Sequence, residues 1–218
     1  DKFNTLQMGM VAAERVFKLI DRDEKINDVG TYSVEKIKGS ISFKDVDFSY
    51  VSSEQVLYGI NLNVKPGEKI AIVGSTGAGK STIINLLSRF YENERGMIKI
   101  DDISIKDFSI QSLRKHLGVI LQDVFLFADT IYNNIVLFNA NIKKEDVYKA
   151  AKEIGVHGFI SSLPGVYQYN VKERGVMLSS GQRQLIAFLR VYLSNPSILV
   201  LDEATSSIDS YSEELIQK

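Results

Sequence analysis

Residues 74–81 constrain the fold of this 218-residue chain more than any other stretch. They read GSTGAGKS and fill every fixed position of the pattern G-x-x-x-x-G-K-[ST], in which a glycine-rich turn joins a strand to a helix. The apolar run at 69–73 predicts a buried strand before the turn, and 81–90 predict a helix packed on a sheet after it. A strand, turn and helix in this order indicate an α/β fold.

The same loop has the chemistry of a polyphosphate site. Its glycines let the backbone wrap closely around phosphate oxygens, so that successive N–H groups point at them. The helix N-terminus adds partial positive charge, Lys80 adds a full charge for the β- and γ-phosphates, and the Ser81 hydroxyl is a ligand for Mg²⁺. The residues predicted to line this site are Gly74, Ser75, Thr76, Gly77, Ala78, Gly79, Lys80, Ser81 and Thr82.

Composition narrows the classes of partner. A formal net charge of −1 argues against nucleic acid, because a phosphate backbone calls for a basic protein surface. No run approaches the roughly 18–20 apolar residues that a membrane-spanning helix needs. The absence of cysteine excludes disulfides and thiolate metal sites. His116 and His157 are the only histidines, so we expect no histidine-based metal centre and interpret both as packing or surface residues.

Two stretches alternate with a period of two residues and predict an antiparallel part. The first, residues 41–50, changes phase in its middle, and a bulge near Lys44–Asp45 would reconcile its two halves. The second covers residues 60–64 and ends at a Pro-Gly turn. The runs at 69–73 and 198–201 lack alternation, which predicts parallel strands buried on both faces.

The middle of the chain, about residues 125–194, is mostly helical in pattern, with helices predicted at 143–154, 157–163 and 182–193. Because this block lies between two predicted parallel strands, it indicates a helical subdomain attached to the sheet. A further helical pattern at residues 6–20 is either a self-contained amphipathic cap or the end of a longer helix.

Two more motifs carry chemistry. The run at 198–201 ends in Asp202 and Glu203, of which the first is suited to hold Mg²⁺ through water and the second to polarise an attacking water. An acidic pair can also simply begin a helix, because acids favour the first helical turn. Residues 178–182, LSSGQ, precede a long amphipathic helix, and their structural interpretation is a helix cap.

Beside the other two motifs, residues 178–182 resemble the signature sequence of ATP-binding cassette (ABC) ATPases, and the resemblance runs from about residue 41 to the end. It implies ATP and Mg²⁺ as ligands. The implied fold is α/β: a P-loop NTPase core, with a mostly parallel sheet and helices on both faces, plus an antiparallel β subdomain and an inserted α-helical subdomain. The signature residues implied to contact nucleotide are Ser179, Ser180, Gly181 and Gln182.

Smaller marks of the family follow in the expected order. Tyr50 matches the aromatic residue that stacks on adenine, and Gln122 matches the glutamine that reaches Mg²⁺ and the attacking water. Residues 207–209 match a loop that communicates across a dimer, and 173–175 resemble a segment typical of exporters. The resemblance implies Glu203, Gln122 and Lys80 as catalytic residues, and Ser81, Gln122 and Asp202 as metal ligands.

For the chain as a whole, the resemblance implies the ATPase part of an exporter at the cytoplasmic face of the cell membrane. Residues 1–38 are expected to be a linker helix and connector from a transmembrane domain of the same polypeptide, and 39–218 the ATPase domain. Its partner is a second ABC ATPase domain, packed head to tail around Mg-ATP to drive export. The alternatives are a non-transport ABC ATPase and an ATP-binding but hydrolysis-poor half of a heterodimeric exporter.

Two departures from the family pattern qualify this expectation. Ser180 stands where the family most often has glycine, and a serine is tolerated there if its φ is negative and its side chain points away from the ligand. The family also places a histidine at the γ-phosphate, at a position beyond Lys218. The expectation is therefore a domain truncated at its C-terminal end, whose hydrolysis is weak or lost without that histidine.

Overall fold

The computed structural model describes residues 2–22, 26, 28–137 and 139–202. Two short 3₁₀ turns, Val166–Gln168 and Glu173–Gly175, accompany the regular elements of this part. None of its helices is long and apolar enough to cross a bilayer. The regular elements are α1 (Lys2–Ile20), β1 (Ile41–Val51), β2 (Glu54–Val64), α2 (Lys80–Leu87), β3 (Arg95–Ile100), β4 (Ile103–Ser104), α3 (Ile110–Lys115), β5 (Leu117–Ile120), α4 (Ile131–Val136), α5 (Lys144–Glu153), α6 (His157–Ser161), α7 (Ser180–Ser194) and β6 (Ile198–Leu201).

A four-stranded antiparallel sheet of order β2-β1-β3-β4 follows the N-terminal connector. The register of β1 against β3 shifts between Lys44 and Asp47, and Asp45 has a φ of 48°. Gly96 lies opposite this irregularity with a φ of +82°, and a Cβ there would collide with the Asp45 carbonyl. The bulge predicted at Lys44–Asp45 is confirmed, and it depends on a glycine in the neighbouring strand.

The buried strand predicted at residues 69–73 is not formed. Ile70, Ile72 and Val73 are exposed, Val73 to 87%, and no strand of the described ranges pairs with this segment. A strand is stabilised by its ladder of hydrogen bonds and by the side chains that cover it, and this segment has neither. The prediction is therefore wrong here, because apolar residues specify a buried strand only where neighbouring strands exist.

A two-stranded parallel sheet joins β5 to β6, with Leu117 opposite Ile198 and Ile120 opposite Leu201. The parallel pairing predicted for 198–201 is confirmed. The prediction of burial on both faces is wrong, since Ile198 is buried whereas Leu199 and Leu201 are exposed. Leu199 and Leu201 are two residues apart and share one face of β6, and that face is left uncovered in the described structure.

Besides a small cluster between β5 and α7, two large hydrophobic cores divide the described fold. One lies among α4 to α7, as the helical pattern predicts, and the other lies between the antiparallel sheet and α2. They share no buried residue. The helical core includes Leu126, Ile131, Ile135, Val147, Ile160, Ile186 and Leu189, and the second core includes Phe43, Val46, Leu57, Leu86, Ile98 and Ile100.

Helix α2 ends at Leu87, earlier than the predicted Phe90. Arg89 has a φ of 48°, which is incompatible with a continuing helix. The Arg114 guanidinium replaces the missing helical donors, because its Nε donates to Ser88 O at 3.1 Å and its Nη2 donates to Arg89 O at 2.9 Å. Phe90 is thereby exposed, with the guanidinium 4.7 Å from its ring centroid.

Helix α1 starts four residues before its predicted Leu6 and buries none of its side chains. The connector after it is fastened to the sheet by the Asp101 carboxylate, which accepts hydrogen bonds from the backbone N–H groups of Lys38, Gly39 and Ser40. His116 is buried, and its Nε2 lies 2.9 Å from Val34 O. The interpretation of this histidine as a packing residue is confirmed.

Candidate functional site

The phosphate loop of residues 74–80 leads directly into α2. Gly77 and Gly79 have φ angles of +85° and +89°, which favour glycine. A Cβ on Gly79 would lie 2.7 Å from Leu57 Cδ2, so this glycine also permits the loop to approach β2. The Lys80 amine donates to Gly74 O at 2.8 Å and to Ser75 O at 3.0 Å. The loop therefore curves around the amine of its own lysine.

Ser81 and Asp202 meet although 121 residues separate them. The Ser81 hydroxyl donates to Asp202 Oδ2 at 3.0 Å, and the Asp202 N–H donates to Ile120 O at 2.9 Å, which extends the β5–β6 pairing by one residue. Hydroxyl and carboxylate oxygens are hard ligands that Mg²⁺ accepts, with phosphate and water in its other positions. Within the described ranges, no group of three or more acidic or histidine side chains could hold a metal ion.

Tyr50, near the end of β1, is joined to the helix of the phosphate loop. Its hydroxyl donates to Thr82 Oγ1 at 3.2 Å and accepts from Asn85 Nδ2 at 3.1 Å. The Tyr50 side chain is 45% exposed, so part of its ring is open to a ligand. Thr82 itself is buried, so this contact anchors Tyr50 to the inner side of α2.

Residues 179–182 form the beginning of α7. The Ser179 hydroxyl accepts from the Gln182 N–H at 3.2 Å, and Gln182 Oε1 accepts from the Ser179 N–H at 3.0 Å, which is a capping box. The helix-cap interpretation is thus confirmed. Ser180 is the first helical residue and therefore has the negative φ that a serine requires, and Gly181 is buried.

The described structure brings together some of the predicted site residues and keeps others apart. Hydrogen bonds connect the phosphate loop and α2 with Tyr50 and Asp202. The capping segment 179–182 belongs instead to the helical core, through Leu178 and Leu185. Gln122 is exposed, two residues beyond the end of β5 and at the same sheet edge as Asp202. Glu203 and residues 207–209 lie outside the described residues.

Sequence reasoning missed two residues beside this site, Asn85 and Tyr91. Asn85 follows Thr82 by three positions on α2, and that spacing puts both side chains on one face of a helix. This signal was present in the sequence. Tyr91 packs on Tyr50 with ring centroids 5.0 Å apart, and nothing local in the sequence indicates this contact.

Comparison with known proteins decides the family. A family model described as ABC transporter matches residues 57–206, which is more than half of the chain. The chain belongs to the ABC transporter family. The structure agrees with this family. It has the phosphate loop, the carboxylate at the end of β6 and the α/β elements of an ABC transporter ATP-binding domain.

Exporter-type proteins are among its relatives. The ATP-dependent lipid A-core flippase of Methylobacillus flagellatus is 46% identical over 216 residues, which make up 97% of this chain and 36% of that protein. The probable multidrug resistance ABC transporter ATP-binding/permease protein YheH of Bacillus subtilis is 41% identical over 218 residues, covering 100% of this chain and 32% of that protein.

A solved structure of a bacterial Atm1-family ABC exporter with ATP bound superposes with a TM-score of 0.85 and 38% identity, over 98% of this chain and 38% of that one. The ABC domain thus spans about a third of the length of these relatives. It is an ABC transporter ATPase domain, homologous to those of exporters.

Proposed function

We propose that this domain binds and hydrolyses ATP to drive the export of a substrate across a membrane. The observation that carries the proposal is the 3.0 Å contact between Ser81 Oγ and Asp202 Oδ2, because it joins the phosphate loop to a carboxylate at the end of a parallel strand. This is the pairing that a Mg²⁺-dependent nucleotide site requires.

Each site residue has a role in this proposal. Lys80 and the N–H groups of the loop hold the β- and γ-phosphates and stabilise the charge that develops there. Ser81 and Asp202 hold Mg²⁺, which when bound neutralises phosphate charge, and Gln122 reaches both the metal and the attacking water. Glu203 orients or deprotonates that water for in-line attack. Tyr50 stacks on the adenine.

The proposed active unit is a pair of domains packed head to tail. The capping segment 179–182 of one domain completes the ATP site of the other, with Ser179, Ser180, Gly181 and Gln182 near the γ-phosphate. Within one domain the capping segment belongs to the helical core and the phosphate loop lies against the core of the antiparallel sheet. This difference supports an arrangement in which a second domain supplies the capping segment. Loss of the γ-phosphate removes contacts that only the closed pair makes, so hydrolysis lets the domains separate.

The finer architecture is proposed from the same relatives. Residues 39–218 are an ABC ATPase domain with a P-loop core, a mostly parallel sheet with helices on both faces, and a helical subdomain at about 125–194. The parallel pairing of β5 with β6 and the TM-score of 0.85 support this. Residues 1–38 are a linker from a transmembrane domain of the same polypeptide. Two observations support this linker: α1 buries none of its side chains, and its relative YheH is named as an ATP-binding/permease protein.

Location and class follow from this assignment. The domain works at the cytoplasmic face of the membrane, and the exporter names of its relatives favour transport over the non-transport ABC ATPases. A hydrolysis-poor half of a heterodimer has the same fold and differs in turnover alone.

The test is the variant Glu203→Gln, assayed for phosphate release and for Mg-ATP affinity by calorimetry. We expect turnover to be abolished and ATP affinity to be retained within about threefold, because the phosphate loop is untouched. Substantial residual turnover would contradict the role of Glu203. Failure to bind Mg-ATP at all would overturn the proposed function.

A further inference from the structure

Three aromatic rings form a cluster beside the phosphate loop, and the site roles proposed above use only one of them. The Tyr50 ring lies edge-to-face with Phe48 at 4.9 Å and with Tyr91 at 5.0 Å between centroids, each at an interplanar angle of 87°. Phe48 is buried, whereas Tyr50 and Tyr91 are 45% and 46% exposed. The two tyrosines therefore sit at the surface, and their mutual contact is edge-to-face, a favoured aromatic geometry.

The hydroxyl end of the Tyr50 ring is also held. It donates to Thr82 and accepts from Asn85, both on α2, the helix that starts at the phosphate loop. These two bonds and the two ring contacts set the position of the ring relative to α2. A ring held in this way loses little freedom when a ligand stacks on it, which is the advantage of preorganisation.

Tyr91 itself follows a turn that is held by the side chains of two arginines. The Arg89 side chain, 1% exposed, donates from Nη1 to Ile105 O at 3.2 Å and to Phe108 O at 2.8 Å. Arg114 holds the backbone of the same turn through its bonds to Ser88 O and Arg89 O. Arg89 thus bonds the turn between α2 and Tyr91 to the segment after β4, and Arg114 bonds the same turn to α3.

We infer that Asn85 and Tyr91 are positioning residues for the base of the nucleotide, which hold the Tyr50 ring at a fixed distance and angle from the phosphate loop. The inference rests on the proposed function, in which Tyr50 stacks on adenine. Asn85 sets the hydroxyl end of the ring, and Tyr91 sets its plane. Neither side chain touches the phosphates in this assignment. Both therefore affect only the contribution that the adenine base makes to ATP affinity.

The experiment compares two ligands that differ in the base. Calorimetry with Mg²⁺ gives the affinities of the full chain for ATP and for inorganic tripolyphosphate, which lacks base and ribose. The variants are Asn85→Ala and Tyr91→Leu, with Tyr91→Phe as the conservative change and Tyr58→Ala, an exposed tyrosine of β2, as the matched control. We expect the first two to weaken ATP binding by about 3- to 10-fold.

The tripolyphosphate affinity separates a positioning role from a structural one. We expect it to stay unchanged in every variant, which also reports that the variants fold, and we expect Tyr91→Phe and Tyr58→Ala to bind ATP like the unaltered chain. A parallel loss for both ligands would overturn the inference, because the phosphate loop itself would then be disturbed. Unchanged ATP affinity in both Asn85→Ala and Tyr91→Leu would overturn it as well.

A further variant, Tyr50→Ala, distinguishes failure of this inference from failure of the proposed function. If it weakens ATP binding but not tripolyphosphate binding, Tyr50 is the base platform, and the results for Asn85 and Tyr91 judge the inference alone. If it changes neither affinity, the stacking role of Tyr50 is wrong, and the inference falls with it.

Discussion

At the scale of single residues, the amine of Lys80 is bonded to carbonyl oxygens of its own loop, Gly74 O and Ser75 O. A lysine amine has three N–H donors and no acceptor, so two donors hold the loop and the third is left for a ligand. A phosphate oxygen accepts a stronger, charge-assisted bond than a neutral carbonyl does. The same side chain can therefore shape the loop and bind the nucleotide.

Replacement of Lys80 by alanine tests this role. We expect Lys80→Ala to weaken Mg-ATP binding by about 10- to 100-fold, since a hydrogen bond to a charged group contributes roughly 1.5–3 kcal/mol. Calorimetric titration with ATP measures the effect. Lys144→Ala, which removes an exposed lysine at the start of α5, is the matched control and should bind ATP normally. Equal affinities for the two variants would refute a phosphate role for Lys80.

The residues that carry the chemistry of the site were the part that the sequence predicted best. The phosphate loop and Asp202 are short, local patterns, and their residue types carry the chemistry directly. The tether of Tyr50 to Thr82 and Asn85 was not predicted, because it joins a strand to a helix about 30 positions later. Such a contact depends on how β1 and α2 pack, which no local pattern contains.

At the scale of elements, the bulge of β1 is matched by Gly96 on β3. Alternation predicted the bulge because a change of phase within one strand has no other simple explanation. The strand predicted at residues 69–73 failed for the opposite reason, since its formation depends on partners and not on its own residues. The end of α2 depends likewise on Arg114, which comes from another element.

The bulge leads to a stability prediction. Gly96→Ala combines a positive φ with a collision against the Asp45 carbonyl, and we expect it to lower the free energy of unfolding by about 2–5 kcal/mol. Gly59→Ala is the control, because Gly59 also has a positive φ but no atom lies within 4 Å of its Cβ position. We expect Gly59→Ala to lower the free energy of unfolding by about 1–2 kcal/mol. Urea denaturation measures both, and equal losses would argue against the collision.

The contact between the connector and the sheet is sensitive to acid. Partial burial acts to raise the pKa of Asp101, but hydrogen bonds from the N–H groups of Ser40, Lys38 and Gly39 and from the Ser40 hydroxyl outweigh it and hold the pKa below its usual value of 3.8. A carboxyl group with a lowered pKa in the folded state stabilises the fold above its unfolded pKa. This contribution is lost as the pH falls through the folded pKa.

Stability measured against pH tests this contact. We expect Asp101→Asn to be about 1–2 kcal/mol less stable than the unaltered chain at pH 7, and the difference to shrink below about pH 4 as Asp101 becomes protonated. The control is Asp102→Asn in the same turn, where both residues have a positive φ that asparagine tolerates. Urea denaturation between pH 3 and 7 gives the values. A difference independent of pH would exclude a charged Asp101 as the cause.

At the scale of the whole molecule, the phosphate loop lies against one of the two large cores, through Leu57, and the capping segment 179–182 belongs to the other. Composition and helical pattern predicted the helical block, because its apolar residues recur with helical spacing. The sequence did not predict which surfaces of β6 stay open, since Leu199 and Leu201 look as apolar as buried Ile198.

Dimerisation is the prediction that belongs to this scale. We expect the Glu203→Gln protein to be monomeric without nucleotide and to become dimeric with Mg-ATP, because the γ-phosphate joins the two halves of a composite site. Light scattering measures the mass. Mg-ADP, which lacks that phosphate, is the control and should leave monomers. A protein that binds Mg-ATP yet stays monomeric would contradict a site shared between two copies of this chain.

Helix α1 has a mechanical consequence. Its 19 residues form a rod about 28 Å long, and none of its side chains is buried. Within the described ranges, the connector that follows it is bonded to the fold at several points: Asp28 to Ile110, Tyr32 to Asp107 and Ser109, Val34 to Ser112 and His116, and residues 38–40 to the Asp101 carboxylate. A push or pull along this rod therefore reaches the ATPase through the connector: it arrives first at the start of α3, through Asp28 and Tyr32, and only then at the start of β1.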